Sequence, residues 1–373
     1  MADPSLQSII DALAGSQHPF VEMGEHLHDP SAGVLASNGW RMMAATGKEN
    51  NAAYNCGLET WFQPPGSSQW TPGQCLLSTK PAWVLSRTPQ NGGASGRGGV
   101  YWAPSLADAR TMYYSVSAGF GNGRDAQSTC IGLLRATGVP PSMRWADQGA
   151  PLSCTTNYEN NGLAPASIDP AYFLDPSDRA PYLAFGGGQI WLMRLDPTSG
   201  FAMNNASWSA GGSGGVYTHL SGRAPPNAQG ETWVEAPFLY AHGGWYYLFL
   251  NWYACCRGAE STYEIRVGRA TSVSGPYYDA AGQDLRTQGG TLLLDRQGTV
   301  LSDTYALASS RLGSARPPLR LTHTLAPALF PLRPCYVRAL FPQLWRVCVC
   351  VRAGMSWILI SVAQDTLVSL ATR

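Results

Sequence analysis

Three acidic residues stand in short frames that could bring carboxyl groups to one place: Asp29 in His28-Asp29-Pro30-Ser31, Asp169 in Ile168-Asp169-Pro170, and Glu235 in Val234-Glu235-Ala236-Pro237. Each frame leads into an aromatic, strand-like run, so one structural unit delivers an acid three times. Converging carboxyl groups make an acid/base site, because burial and mutual charge push their proton affinities apart and leave one to donate and another to accept. A lone Asp before Pro is ordinarily a turn residue, which is the reading for Asp175-Pro176 and Asp196-Pro197. Glu235 differs, since an acid followed by apolar residues and an aromatic strand is costly unless it sits at a strand mouth or is used.

The elements that must position these acids repeat. Tyr101-Trp102-Ala103-Pro104 leads to Thr111–Ser117, Asp169-Pro170 to Pro181–Gly186, and Glu235-Ala236-Pro237 to Trp245–Leu250, each followed by a second apolar run ending near an Arg. The prolines Pro104, Pro170 and Pro237 are spaced by 66 and 67 residues, and Pro30 precedes Pro104 by 74. Short apolar runs bounded by Gly, Pro, Asn and Ser are strand signals, and no long stretch before residue 295 holds a helical period. A repeated multi-strand unit in an all-β chain points to radial repetition, in which a propeller limits exposed sheet edges.

Composition fits one large domain followed by an atypical tail. Charged residues are 13%, with 41 Gly and 13 Trp, as in a chain of many tight turns and abundant aromatic surface. Such surface suits carbohydrate, whose apolar faces stack on Trp and Tyr. The absence of a basic stripe argues against nucleic acid. Residues 296–373 hold nine Arg, no Lys and only Asp303 and Asp365, a surplus of +7 that leaves −6 for the rest of a chain whose total is +1. We therefore expect a propeller domain over 1–295 and a distinct segment over 296–373. Arg352 and Asp365 bracket too short an apolar run to cross a membrane. Met1–Gly15 has no signal-peptide pattern. Six cysteines precede residue 295, an even number that suits an oxidising compartment without revealing the pairing. Adjacent Cys255 and Cys256 form either a vicinal disulfide or two buried thiols.

The segments HDPS, WAPSL, SIDPAYF, YLAFGGGQI, VEAPFLY and YYLFLNWYACCRGAESTYEIRVGRATSVSGPYYD, from His28 to Asp279, resemble the arabinanases of glycoside hydrolase family 43. Cys255-Cys256-Arg257-Gly258, Ser261-Thr262-Tyr263 and Val267-Gly268-Arg269 resemble its endo-1,5-α-L-arabinanase branch. The resemblance implies a five-bladed β-propeller that inverts α-1,5-L-arabinofuranosidic bonds in arabinan or a related pentose-containing polysaccharide outside the cell. It makes Asp29 the general base, Glu235 the general acid, and Asp169 the carboxylate that orients the acid and keeps it protonated. His28, Trp102 as a sugar platform, Cys255 and Cys256 are candidate substrate contacts. An inverting pair is expected to stand about 6.5–9.5 Å apart. The family carries a Gly-Pro-Gly-His-like turn, whose histidine helps hold a metal or water, where this chain reads Leu301-Ser302-Asp303-Thr304-Tyr305. His323 lies in no such frame. We therefore expect no metal or other cofactor, and a fifth blade that is divergent or incomplete. A β-xylosidase or α-L-arabinofuranosidase of the same family, or a catalytically impaired carbohydrate-binding propeller, are the competing readings.

Overall fold

The structure, a computed structural model, describes residues 29–47, 56–77, 79–88, 100–117, 128–156, 165–206, 215–255, 257 and 260–294, and the backbone of strands at 336–341, 345–349, 351–352 and 355–356. Residues 301–305, His28, Cys256 and His323 lie outside the described residues.

The alternating apolar runs become four antiparallel sheets laid down in chain order. The first holds β1 (Val34–Leu35), β2 (Arg41–Thr46), β3 (Leu58–Gln63) and β4 (Thr71–Leu76). A six-residue helix, α1 (Ala82–Arg87), follows it, too short for a helical period to show in the sequence. The second sheet holds β5 (Val100–Asp108), β6 (Thr111–Ser117), β7 (Ser128–Val139) and β8 (Ser142–Asp147), with β9 (Ser153–Thr156) added against β7. The third is β10 (Ala171–Leu174), β11 (Pro181–Phe185), β12 (Ile190–Arg194) and β13 (Tyr217–Ser221), and the fourth β14 (Val234–His242), β15 (Trp245–Trp252), β16 (Glu264–Ala270) and β17 (Thr291–Leu294). Each acidic frame therefore opens a sheet at its first strand. The first strands also neighbour one another in turn, β1 beside β5, β5 beside β10 and β10 beside β14, as the inner strands of propeller blades do.

Apolar packing between consecutive sheets holds the blades together. Met42, Leu58, Phe62, Tyr101, Met112 and Tyr114 join the first and second sheets, Tyr113, Leu133, Phe185 and Met193 the second and third, and Leu192, Val234, Leu248 and Leu250 the third and fourth. Each such buried side chain contributes about 1.5–3 kcal/mol, against about 1 kcal/mol for a typical hydrogen bond, so packing dominates and polar ties fix the register. Those ties recur at each interface: Asn38 Nδ2 donates to the Pro140 carbonyl at 2.7 Å, Tyr113 Oη to that of Gly200 at 3.0 Å, and Tyr246 Oη to Asp175 at 2.7 Å. Asp175 and Asp196 cap their own turns through Ser177 N and Ser199 N.

Beyond the fourth sheet, β18 (Tyr336–Phe341) pairs antiparallel with β19 (Trp345–Val349), and β20 (Val351–Arg352) with β21 (Met355–Ser356). No described strand of this region pairs with β17. No helix among the described residues is long and apolar enough to cross a membrane.

Two disulfides settle four of the six cysteines that precede residue 295: Cys56–Cys75 ties the lead-in of β3 to β4, and Cys130–Cys154 ties β7 to β9. Their sequence separations of 19 and 24 residues place each in the range where cross-linking the unfolded chain is worth about 3 kcal/mol. Replacing both Cys130 and Cys154 with Ser is expected to lower the unfolding free energy by about that amount, read from denaturant midpoints; an unchanged midpoint would show that β9 adds nothing to the cooperative unit.

Candidate active site

The four frames share a backbone feature invisible in the sequence. The residue before each proline has a left-handed backbone: Asp29 at φ 46°, Ala103 at 39°, Asp169 at 51° and Ala236 at 50°. A residue before proline is normally driven to extended conformations, and positive φ is uncommon outside glycine. Holding it costs about 1–3 kcal/mol at each position, strain that is typical of functional sites. In β5 and β14 it coincides with register shifts between Trp102 and Ser105 and between Glu235 and Phe238.

In the last three frames the turn aims the backbone N–H at the preceding blade. Ala103 N donates to Thr46 Oγ1 at 2.9 Å, Asp169 N to Ser115 Oγ at 2.8 Å, and Ala236 N to Asp169 Oδ2 at 3.0 Å. Thr46 Oγ1 in turn donates to Asp29 Oδ2 at 2.7 Å. One network thus runs from the first lead-in to the second, and another joins the second blade to the third and the third to the fourth. Beneath Asp169, Ser167 N donates to Thr129 Oγ1 at 2.7 Å, and its hydroxyl lies 2.9 Å from Ser153 Oγ and 2.8 Å from Thr155 Oγ1.

Glu235 stands one residue earlier in its frame than Asp29 and Asp169 do in theirs. Trp102 and His28 share that earlier position, so the sequence candidates fall into two classes set by the turn. Trp102 is partly buried beside Ala103, and Cys255 is disulfide-bonded. Both Glu235 oxygens accept hydrogen bonds, Oε2 from Trp233 Nε1 at 2.7 Å and Oε1 from Tyr263 Oη at 2.8 Å. Asn251, the cross-strand partner of Glu235, hydrogen-bonds the same Tyr263 hydroxyl.

Loss of solvent, then the charges of Glu235 and Asp29, push the Asp169 carboxyl well above the usual carboxylate range, against the lowering effect of the Ala236 N–H. The three acids therefore feel one another, as a site that divides protons among carboxyls requires. Among the described residues no three His, Cys, Asp or Glu side chains assemble as a cation site, and both Asp29 and Asp169 spend an oxygen on a protein donor.

Thr46, Ser115, Trp233, Asn251 and Tyr263 were not singled out as site residues in the sequence. Trp233 carried a usable signal, since residues two apart on a strand share a face. Tyr263 lay inside a recognised motif without a role. Thr46 and Ser115 carried none, because only the blade-to-blade contact gives their hydroxyls a function.

The family model described as glycosyl hydrolases family 43 matches residues 68–299. The chain belongs to glycosyl hydrolase family 43. Among relatives, this family 43 chain is 30% identical over 274 residues to the extracellular endo-α-(1→5)-L-arabinanase 1 of Bacillus subtilis, covering 72% of each chain. It is 29% identical over 230 residues to the extracellular exo-α-(1→5)-L-arabinofuranosidase of Cellvibrio japonicus, covering 60% of this chain and 61% of that one. The structure of an exo-1,5-α-L-arabinanase from a bovine ruminal metagenomic library superposes with a TM-score of 0.60 at 24% identity, covering 93% of this chain and 95% of that one. The fold is accordingly an all-β propeller, and the family 43 chain is a glycoside hydrolase.

Stability should report the Asp169 environment. Its carboxyl titrates higher in the folded chain than the unfolded value of about 3.9. As pH rises above about 4 the unfolded chain therefore loses this proton first, and stability falls until the folded midpoint is passed. Asp169→Asn cannot ionise and keeps an oxygen for Ala236 N–H. Its stability relative to the parent is expected to grow from about pH 4 upward and then level off; a difference in denaturant midpoint that is flat with pH would contradict the raised carboxyl.

Proposed function

We propose that the chain hydrolyses α-1,5-L-arabinofuranosidic bonds in arabinan with inversion, Asp29 acting as general base, Glu235 as general acid and Asp169 as the carboxyl that orients and tunes the acid. The observation that carries the reading is the contact between the third and fourth lead-ins. The Asp169 carboxylate holds the Ala236 N–H, next in chain to Glu235, and feels the charges of both Glu235 and Asp29. Such a trio supplies what inversion needs: one carboxyl protonated beside the leaving oxygen and one ionised to take a proton from water. Asp29 draws that proton as water attacks the anomeric carbon, while Glu235 gives its own to the departing glycosidic oxygen. No cofactor enters this scheme.

Arabinan as substrate is favoured by the relatives, which are named for endo and exo action on that polymer. Exo action is the second reading, supported by the Cellvibrio japonicus relative. Placement outside the cell accords with the two disulfides and with the extracellular names of both relatives. The five-bladed count, with a divergent fifth unit drawn from residues 296–373, completes the proposal.

Reducing-end release from linear arabinan should exceed turnover of arabinofuranosyl and xylosyl aryl glycosides; a preference for the xylosyl substrate would overturn the substrate assignment. Glu235→Gln should abolish hydrolysis of arabinan while largely sparing an aryl arabinofuranoside whose leaving group needs no proton, and Asp29→Asn should suppress both. Equal losses on the two substrates in the Glu235 variant would remove it as the acid.

A further inference from the structure

We propose that Tyr263 and Trp233 are positioning residues that set the pH range over which Glu235 keeps its proton, by holding both of its oxygens and stabilising the carboxylate left when the proton departs. The inference rests on Glu235 being the acid.

A protonated carboxyl must spend one oxygen as a donor. Glu235 instead faces two donors, Trp233 Nε1 at 2.7 Å and Tyr263 Oη at 2.8 Å, the arrangement that best suits the anion. Neither donor can easily turn away. Tyr263 is 6% exposed, is anchored by Asn251, and has its own ionisation pushed far up by burial and by Glu235, so it remains an O–H donor. Its loop is pinned at Glu231, whose carboxylate accepts from Asn227 Nδ2, Thr262 Oγ1 and Arg257 NH1.

Trp233 is held by the glycine run Gly186-Gly187-Gly188. A Cβ on Gly187 would come within 2.7 Å of the Trp233 ring and 2.8 Å of Ile168, and Arg223 stacks on the other part of the indole at 5.8 Å from its centroid. Gly187 and Gly188 of the third blade thus make room for a tryptophan of the fourth.

Charged or titratable groups facing Glu235 include Asp169 from the third lead-in, Asp29 beyond it, Tyr263 from the loop before β16, and Arg223 behind Trp233. Asp169 and Asp29 favour the protonated acid, and the two donors favour its carboxylate. During turnover the Glu235 O–H bond breaks, its proton goes to the glycosidic oxygen, that oxygen keeps the pair from the broken C–O bond, and the new charge falls between the two donors. Solvent later returns the proton.

The test uses the full chain with Tyr263→Phe, Trp233→Phe and the double variant, each checked for an unchanged fold by near-ultraviolet circular dichroism. Infrared carboxyl difference spectra against Glu235→Gln read the Glu235 titration midpoint without needing turnover. Each single variant should raise that midpoint by about one pH unit and the double variant by more. The alkaline limb of kcat/KM on linear arabinan should move with it, while an aryl arabinofuranoside that needs no proton should show no such limb. A midpoint unmoved in both single variants overturns the proposal even where Glu235→Gln behaves as loss of the acid. A shifted midpoint combined with equal losses of Glu235→Gln on both substrates sustains the hydrogen-bond effect and overturns the role of Glu235 as acid.

Discussion

The hydrogen bond from Ala236 N to the Asp169 carboxylate is the contact on which the site depends. It joins the lead-in of the third blade to that of the fourth, fixes the backbone immediately after Glu235, and takes up one lone pair of a carboxyl that has lost much of its solvent. A carboxylate used as a structural acceptor is usually replaceable by any polar group. Here the same group also has its proton affinity raised by burial and by the charges of Glu235 and Asp29. Structural and electrostatic demands therefore fall on one side chain, and the left-handed backbone at 169 and 236 is what lets them coincide.

That backbone is the architectural theme of the axis. The same strained turn recurs at Asp29, Ala103, Asp169 and Ala236, and the amides of the last three meet the preceding blade. Where the residue before proline is an acid, its side chain accepts a hydrogen bond, from Thr46 at Asp29 and from Ala236 N at Asp169. Where it is alanine, the candidate stands one residue earlier, and Trp102 and Glu235 occupy that partly buried position. Apolar packing between blades supplies the rigidity that keeps such turns from relaxing, since buried aromatic and aliphatic side chains outweigh the strain at any one of them.

The surroundings of Glu235 are built by less obvious partners. Glycines in the third blade accommodate the indole of Trp233, and a carboxylate at Glu231 pins the loop carrying Tyr263. Neither feature contains a group that acts on a sugar. Both decide where a hydrogen-bond donor stands, and an acid is tuned by its donors as much as by neighbouring charge.

Much of this was legible in the amino-acid order. The period of Pro104, Pro170 and Pro237, the alternation of apolar runs and the three acidic frames follow from local chemistry: proline restricts its neighbours, aromatic and β-branched runs favour strands, and acids before buried strands are costly without a purpose. The family likewise rests on contiguous motifs such as Ser261-Thr262-Tyr263. Tertiary structure alone decided which hydroxyls and amides those acids meet, because Thr46 and Ala103, Ser115 and Asp169, or Glu235 and Tyr263 are brought together across blades or strands, 28 to 57 residues apart in sequence. The disulfide pairing and the left-handed turns belong to the same class. Sequence fixes what each residue can do, whereas proximity between distant residues, which sets proton affinity and strain, exists only once the blades have packed.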